Sequence, residues 1–349
     1  MSSFDLDLIA RLGLDHPIIQ APMAGTSTPA LAAAVCNAGA LGSLGLGSVN
    51  AVEGRAMIEA TNALTNRAFN VNLFCHRPAV PDPAREARWI ETLKPEFAKF
   101  GASPPPHLTE IYKSFVSDDA MLAMLLQIRP RIVSFHFGLP PSVKIKALKD
   151  AGILLLASAT SLAEGRVIAA AGIDAVVAQG YEAGGHRGIF DPDGPDDRLG
   201  MFALTRLLVQ ELPLPVIAAG GIMDGAGIAA ALKLGAVAAQ LGTAFIACPE
   251  SAADRGYRTA LKSDAANHTV MTKAISGRPA RCLANRFTSL DAANVAGYPL
   301  AYDAGKALNA AAKSKGEFGY GAQWAGQGAP LSRALPAAEL IAALAREMR

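Results

Sequence analysis

A chain of 349 residues, 51% hydrophobic and 18% charged, is long enough to bury a large core, and a net charge of +2 without basic–aromatic runs excludes nucleic acid as its main partner. No uninterrupted apolar segment approaches the ~20 residues of a membrane span, and the N-terminal MSSFDLDLIARLGLDHP carries acids where a secretory leader is basic. Cys36, Cys75, Cys248 and Cys282 form no CxxC pair and the six histidines are dispersed, so the chain reads as a cytoplasmic protein with buried free thiols and no metal-ligand spacing.

Short apolar runs alternate with amphipathic helical stretches, the pattern of parallel strands joined by helical crossovers. The first run, PIIQAPM at 17–23, leads to Thr28-Pro29, an N-cap with proline in the first turn, and then the helix LAAAVCNAG. ALGSLGLG at 40–47 is followed by a helix from about 51 to 64, and FNVNLF at 69–74 by a helix around 108–127. Next come RIVSFHFG at 131–138 with VKIKALKDAG, and ILLLASAT at 153–160 with LAEGRVIAAAG. AVVAQG at 175–180, PVIAAGG at 215–221 and AAQLGTAFI at 238–246 complete the set. Three helices close on NAG, DAG or AAG, where glycine at C′ ends a helix. Eight β/α units predict an α/β protein built as a TIM (β/α)8 barrel, which ~250 residues can form as one domain. An open doubly wound sheet is the competing architecture, but without GxGxxG it has no fingerprint to rest on.

Two stretches interrupt the alternation. Residues 76–106 lengthen the third βα connection, and residues 253–319 separate the eighth run from the C-terminal helix PAAELIAALAREMR. Both leave from the face where barrel active sites lie. The expected organisation is a barrel of 1–75, 107–252 and 320–349, with 76–106 and 253–319 forming a smaller helical cap over the site.

The run ends carry the chemistry. Gly220-Gly221 ends the seventh run just before a helix opening near Asp224-Gly225, and the eighth offers Gln240, Leu241, Gly242 and Thr243. Such junctions expose backbone N–H groups, a helix N-terminus favours an anion, and the loops after strands seven and eight are the usual phosphate site of a barrel. Tight helix–sheet packing without a ligand explains one such junction, two adjacent ones less well. Other run ends are polar but uncharged: Gln20, Asn72, Ser158 and Gln179. Amides suit a flat heteroaromatic ring better than a metal, so phosphate plus ring points to flavin mononucleotide. No lysine stands at a strand end, so negative charge on such a ring must be met by backbone, amide or dipole groups. In QGYEAGGHRG at 179–188, paired glycines admit a bulky neighbour and a histidine follows that can move a proton near neutrality.

PIIQAPMAGTSTPALAAAVCNAGALG, the Asn72 segment, QGYEAGGHRG and PVIAAGGIMDGAGIAAALKLGAVAAQLGTAFIACPES together resemble nitronate monooxygenases of the bacterial class I type, over about residues 15–306. The resemblance implies a TIM barrel holding FMN noncovalently. It implies oxidation of alkyl nitronates, propionate 3-nitronate foremost, by O2 to a carbonyl compound plus nitrite or nitrate. The route is one-electron, through a flavin semiquinone without NAD(P)H, and the role is detoxification. FMN contacts fall on Ala21, Pro22, Met23 and Asn72, on Gln179, Gly184, Gly185, Gly220 and Gly221, and on Gln240, Leu241, Gly242 and Thr243, with Ser158 added by its strand-end position. The active-site histidine falls on His186, and a substrate pocket on Tyr298, Tyr302 and Lys306, joined by Tyr112, His136 and Tyr257. One departure is Ala226, where arginine is common.

With a neutral nitroalkane, His186 is the candidate base. Tyr298, Tyr302 and Lys306 stand four apart, so one helix face would present a cation and two hydroxyls to the nitronate anion. An exposed helical face carrying a lysine is the plain alternative, and Gln179 is the candidate partner of flavin N1. The rival function is an FMN-dependent NAD(P)H reductase of quinones or enoyl thioesters, which shares the glycine–glycine–histidine turn. A non-catalytic flavin- or phosphate-binding barrel explains the glycines but not His186. Monomer and homodimer are equally compatible with the sequence.

Overall fold

Side chains on a strand point alternately to its two faces, and here that alternation separates barrel interior from helix-facing shell. Ile132, Leu154, Leu156, Ala175, Val177 and Ile217 share one interior cluster, while Val133, Phe135, Leu155, Ala157, Val176 and Ala178 pack outward into the helical layer. The next interior positions toward the carboxyl ends are Ser134, Ser158 and Gln179, so the same period that fills the core turns polar groups into the barrel mouth.

The computed structural model describes residues 3–349; Met1 and Ser2, which open the acidic N-terminal stretch, lie outside the described residues. Eight parallel strands form the barrel: Ile18–Gln20, Ser43–Gly45, Asn70–Phe74, Ile132–His136, Leu154–Ala159, Ala175–Gln179, Val216–Ala219 and Ala238–Leu241. They pair in chain order, and the first also pairs with the eighth, Ile18 opposite Ala239. Between the first and second strands the ladder is reduced to one bridge, Ile19 with Leu41. There Gln20, fully buried, accepts from Ser43 N at 2.8 Å and donates to Ser27 Oγ at 2.9 Å, so a side chain supplements the short ladder. Leu8 and Leu12 of the helix Ser3–Leu12 join the interior cluster.

The strands are shorter than the apolar runs. Pro17 and Pro22 have no N–H to give a ladder, and PIIQAPM yields only Ile18–Gln20. The run AAQLGTAFI splits at Gly242 into a strand and the short helix Thr243–Ile246, a distinction apolar content cannot make. The helix expected around 108–127 starts only at Asp119, where Asp118 caps it by accepting from Met121 N.

Over the carboxyl ends, the helix Pro83–Ala98 of the first insertion packs against Leu300–Ser314 of the second. Trp89, Leu93, Phe97, Leu300, Ala304 and Leu308 share a cluster of their own, which Tyr320 enters. The cap is not helical throughout. Thr269–Thr272 and Ala280–Leu283 form an antiparallel hairpin, and Gly185–His186 of the sixth βα loop adds a third strand to it. The β-branched Thr269, Val270 and Thr272 favour that hairpin. Gln20→Ala should leave Ser43 N–H buried without a partner and open a cavity, at about 2–4 kcal/mol. Circular dichroism melting should show a lower midpoint; an unchanged one would show that the barrel closes without this amide.

Candidate active site

A cleft at the barrel mouth encloses about 1340 Å³ of empty space, its open side included. One wall is backbone and small residues: Ala21, Pro22 and Met23 after the first strand, Gly220 to Met223 after the seventh, Gly242 and Thr243 after the eighth. Gly220 and Gly221 take φ of 119° and 70°, a region that favours glycine, and so turn the chain sharply out of the strand. Among the described residues, the N–H groups of Gly221, Ile222 and Gly242 make no hydrogen bond within the chain. Thr243 Oγ1 accepts from Gly326 N at 3.0 Å and keeps its own proton to donate. A Cβ built at Gly242 would meet nothing nearer than Ala21 Cβ at 3.5 Å.

At the N-terminus of the helix Gly225–Lys233 the chain's own carboxylates take two N–H groups: Gly225 N donates to Glu347 Oε2 at 3.0 Å and Gly227 N to Asp224 Oδ1 at 2.8 Å. Gly221 and Ile222, whose N–H groups are free, lie in the turn before it.

The floor is polar. Asn72 Nδ2 donates to Ser134 Oγ at 2.9 Å across neighbouring strands, and Ser158, Gln179 and Gln240 also line the cleft. Gln20 does not; it is spent on barrel closure. Leu241 is 1% exposed and serves through its backbone, accepting from Ala21 N. Gln179 lines the cleft, yet its amide is occupied: Nε2 donates to His186 O at 3.0 Å and Oε1 accepts from Gly188 N at 2.6 Å.

Gly184, Gly185 and His186 face the same cleft. His186 Nε2 lies 2.8 Å from Ser276 Oγ, while Nδ1 has no partner in the chain and is not sealed from the cleft. Aromatic rings surround the imidazole: Trp324 at 5.0 Å between centroids, Tyr298 at 5.5 Å, Phe137 at 5.6 Å and Tyr302 at 6.1 Å. Phe137 sits at φ 72°, a conformation that a bulky residue holds only under external constraint.

His136 has both nitrogens engaged, Nδ1 with Ser158 Oγ at 3.0 Å and Nε2 with His186 O at 3.2 Å. A carbonyl can only accept, so Nε2 carries the proton and the ring is a neutral strut. Burial, ahead of a backbone hydrogen bond that opposes it and the nearby guanidinium charges, pushes His136 down to about 4. His76 is likewise pushed down to about 4, by burial first and Arg278 second. Its two ring nitrogens are buried without partners.

Tyr112, Tyr257 and Tyr302 reach the cleft. The Tyr257 hydroxyl donates to Trp324 O, which leaves Tyr112 and Tyr302 as the ring-bearing donors nearest Lys306. Lys306 Nζ stands 4.7 Å from the Tyr112 centroid and 5.6 Å from that of Tyr302, in a recess that shares Tyr112, Tyr257, Tyr302 and Trp324 with the main cleft. It has no ion pair among the described residues, and burial lowers its pKa. Tyr298 departs from the expected helix face: Leu300–Ser314 begins after it, because the residue before proline is kept out of the α region. Its ring still closes over His186, with the hydroxyl buried and unpartnered.

Five residues at the site were not singled out from the sequence: Ser134, Phe137, Ser276, Arg278 and Trp324. Alternation along RIVSFHFG would have found Ser134; the others come from turns and late chain that only the folded cap brings in.

Comparison with known proteins decides the family. The nitronate monooxygenase family model matches residues 7–347. The chain belongs to the nitronate monooxygenase family. A nitronate monooxygenase of Paraburkholderia phytofirmans is 65% identical over 98% of this chain and 94% of that protein, and one of Pseudomonas aeruginosa is 56% identical over 97% of each. Among solved structures, nitroalkane oxidase from Streptomyces ansochromogenes superposes with a TM-score of 0.89 at 40% identity, covering 98% of this chain and 97% of that one. FabK from Thermotoga maritima gives 0.75 at 28% identity, over 98% and 95%. Nitronate monooxygenases are oxidoreductases that work with a flavin, and the free N–H groups, polar floor and glycine wall of the cleft fit such a group.

The buried imidazoles make stability pH-dependent. An unfolded histidine protonates near its ordinary 6.5, and His76 in the fold only near 4. Between those values the unfolded chain holds more protons, so stability falls as pH falls, by at most about 3 kcal/mol for this ring. His76→Leu should flatten the loss of urea stability between pH 7 and pH 4.5 by about 2 kcal/mol. Parallel pH curves for the two proteins would show that His76 titrates alike in the folded and unfolded chain.

Proposed function

We propose that this chain oxidises anionic alkyl nitronates with O2, using FMN held in the barrel mouth, and that a carboxylated nitronate such as propionate 3-nitronate is a substrate. The observation that carries the reading is the pairing of two features in adjoining cavities that share Tyr112, Tyr257, Tyr302 and Trp324. One is a histidine with a free Nδ1; the other is an unpaired cation, Lys306, beside the tyrosine rings of Tyr112 and Tyr302. Gly221, Ile222 and Gly242 N–H with the Thr243 hydroxyl would hold the phosphate, while the Ala21–Met23 backbone, Asn72 and Ser134 would border the ring. FMN when bound supplies one-electron redox chemistry that O2 can complete.

The chain's own residues do the rest. Lys306, Tyr112 and Tyr302 offer one positive charge and two hydroxyls to the nitronate oxygens or a carboxylate. Phe137, Tyr298 and Trp324 wall His186 from water and strengthen those contacts. With a neutral nitroalkane, His186 Nδ1 takes the α-proton; a preformed nitronate needs no base. Products are a carbonyl compound and nitrite or nitrate. Removal of a reactive nitro anion would be a detoxification, and four buried free thiols fit a cytoplasmic setting.

Flavin-loaded protein given propionate 3-nitronate should consume O2 without reduced nicotinamide, and acid treatment should release FMN. Anaerobic bleaching of the flavin by NADH, with no O2 uptake on the nitronate, would move the assignment to a reductase. His186→Asn should lower kcat/KM for a neutral nitroalkane by about a hundredfold or more while sparing the preformed nitronate. Equal losses on the two substrates would remove the base from His186.

A further inference from the structure

Two residues after the serine that touches His186 lies a buried arginine that no other part of the mechanism uses. Arg278 is 2% exposed and forms no ion pair among the described residues. One guanidinium N–H donates to Ile189 O, Nε has no partner, and the guanidinium carbon lies 4.2 Å from the Phe137 centroid. Phe137 in turn stands edge-on to His186. A buried charge without a counter-ion is costly, so its retention calls for a reason.

The turn that carries Arg278 is bonded to itself and to His186 through one hydroxyl. Ser276 Oγ is 2.8 Å from His186 Nε2, 3.2 Å from Arg278 O and 3.3 Å from Arg278 N. Arg278 O can only accept and its N–H only donate, so a serine proton given to the carbonyl leaves the oxygen to receive Nε2–H. Gly277 between them takes φ 86°, and a Cβ there would meet Ala296 O at 2.4 Å, so the turn is seated against the segment that leads to Tyr298.

We propose that the Ser276–Arg278 turn is a positioning device for His186: Ser276 selects the tautomer with its proton on Nε2, and Arg278 keeps the ring uncharged, so that Nδ1 faces the cleft as an acceptor. The proposal rests on the base role assigned to His186 above. The groups facing that ring are His136 and Phe137 from the end of the fourth strand, His76 from beyond the third, Tyr298, Tyr302 and Ser276 from the cap, and Trp324. None is a carboxylate. Burial first, then Arg278, hold His186 well below the usual histidine range. The same positive charge favours the anion that forms when the α-proton leaves.

Histidine-labelled ¹⁵N NMR of the FMN-loaded protein reads tautomer and charge directly, with His186→Asn for assignment. Wild type should show Nε2–H, with His186 protonating only well below the usual histidine range. Arg278→Met should raise the pH of that titration, and of the acid limb of nitroalkane kcat/KM, by about one pH unit. Arg278→Gln, which keeps a donor for Ile189 O, should do the same should the methionine variant fail to fold, and Arg278→Lys should hold the wild-type titration. Ser276→Ala should lose the single-tautomer signature. An unmoved titration in folded Arg278→Met or Arg278→Gln overturns the arginine's part, and a wild-type Nδ1–H signal overturns the serine's. Neither result depends on the base role, whose failure shows instead as equal losses on nitroalkane and nitronate in His186→Asn.

Discussion

The site hangs on one carbonyl. His186 O accepts from Gln179 Nε2 and from His136 Nε2, so the ends of the fourth and sixth strands both grip the residue that the cap hairpin also pairs through Ala280. Paired glycines just before it give the chain freedom to reach the ring position, and left alone would let the imidazole wander. Two hydrogen bonds on that oxygen, worth about 1–3 kcal/mol together, take the freedom away. Arg187 tightens the same knot, donating to Gln179 O at 2.6 Å and to both oxygens of Asp196. The clamp requires His136 to carry a proton on Nε2, and burial keeps the ring otherwise uncharged, with Nδ1 against Ser158.

Electrostatic asymmetry follows from how the acids are used. Glu182 caps the helix Met201–Glu211 by accepting from Met201 N, Glu164 is bonded to Thr160 and Phe190 N, and Asp303 holds Thr109. These carboxylates are engaged by backbone N–H groups and threonine hydroxyls, and Lys306 and Arg278 have no ion pair among the described residues. In a folded protein that is a liability of several kcal/mol per ion. It becomes useful when an anion enters, since the attraction then acts in a medium of low dielectric. The proposed nitronate, its carboxylate and a reduced ring would all meet the same field.

How much of this was legible in the sequence depends on the range of the interaction involved. Strand order, the glycine junctions after the seventh and eighth strands and the approach of His186 are local, written within a few residues of where they act. Gln20 and Gln179 were visible as polar groups at strand ends, but their use as a barrel closure and a carbonyl clamp depends on partners in Ser43 and Gly188. Nothing local announces that Glu347, more than a hundred residues later, accepts from Gly225 N at the start of the helix that follows Gly220-Gly221. Ser276, Arg278 and Trp324 had no local signature at all. They reach His186 only because a hairpin in the cap pairs with Gly185–His186, a register that hydrophobic pattern does not specify.

That division by range matches a division of labour. The strand ends and their glycine turns offer phosphate and ring contacts that any flavin barrel could share, and a fold of this kind persists at 28% identity with a TM-score of 0.75. The residues proposed to orient the base, set its charge and recognise the anion, Ser276, Arg278, Tyr302 and Lys306, all lie on the cap. A fold alone therefore does not choose between oxidising a nitronate and passing a hydride; the groups standing over the ring do. If so, reactivity in this scaffold changes by altering a hairpin and one helix, while the barrel beneath, whose polar floor is set by strand alternation, stays as it is.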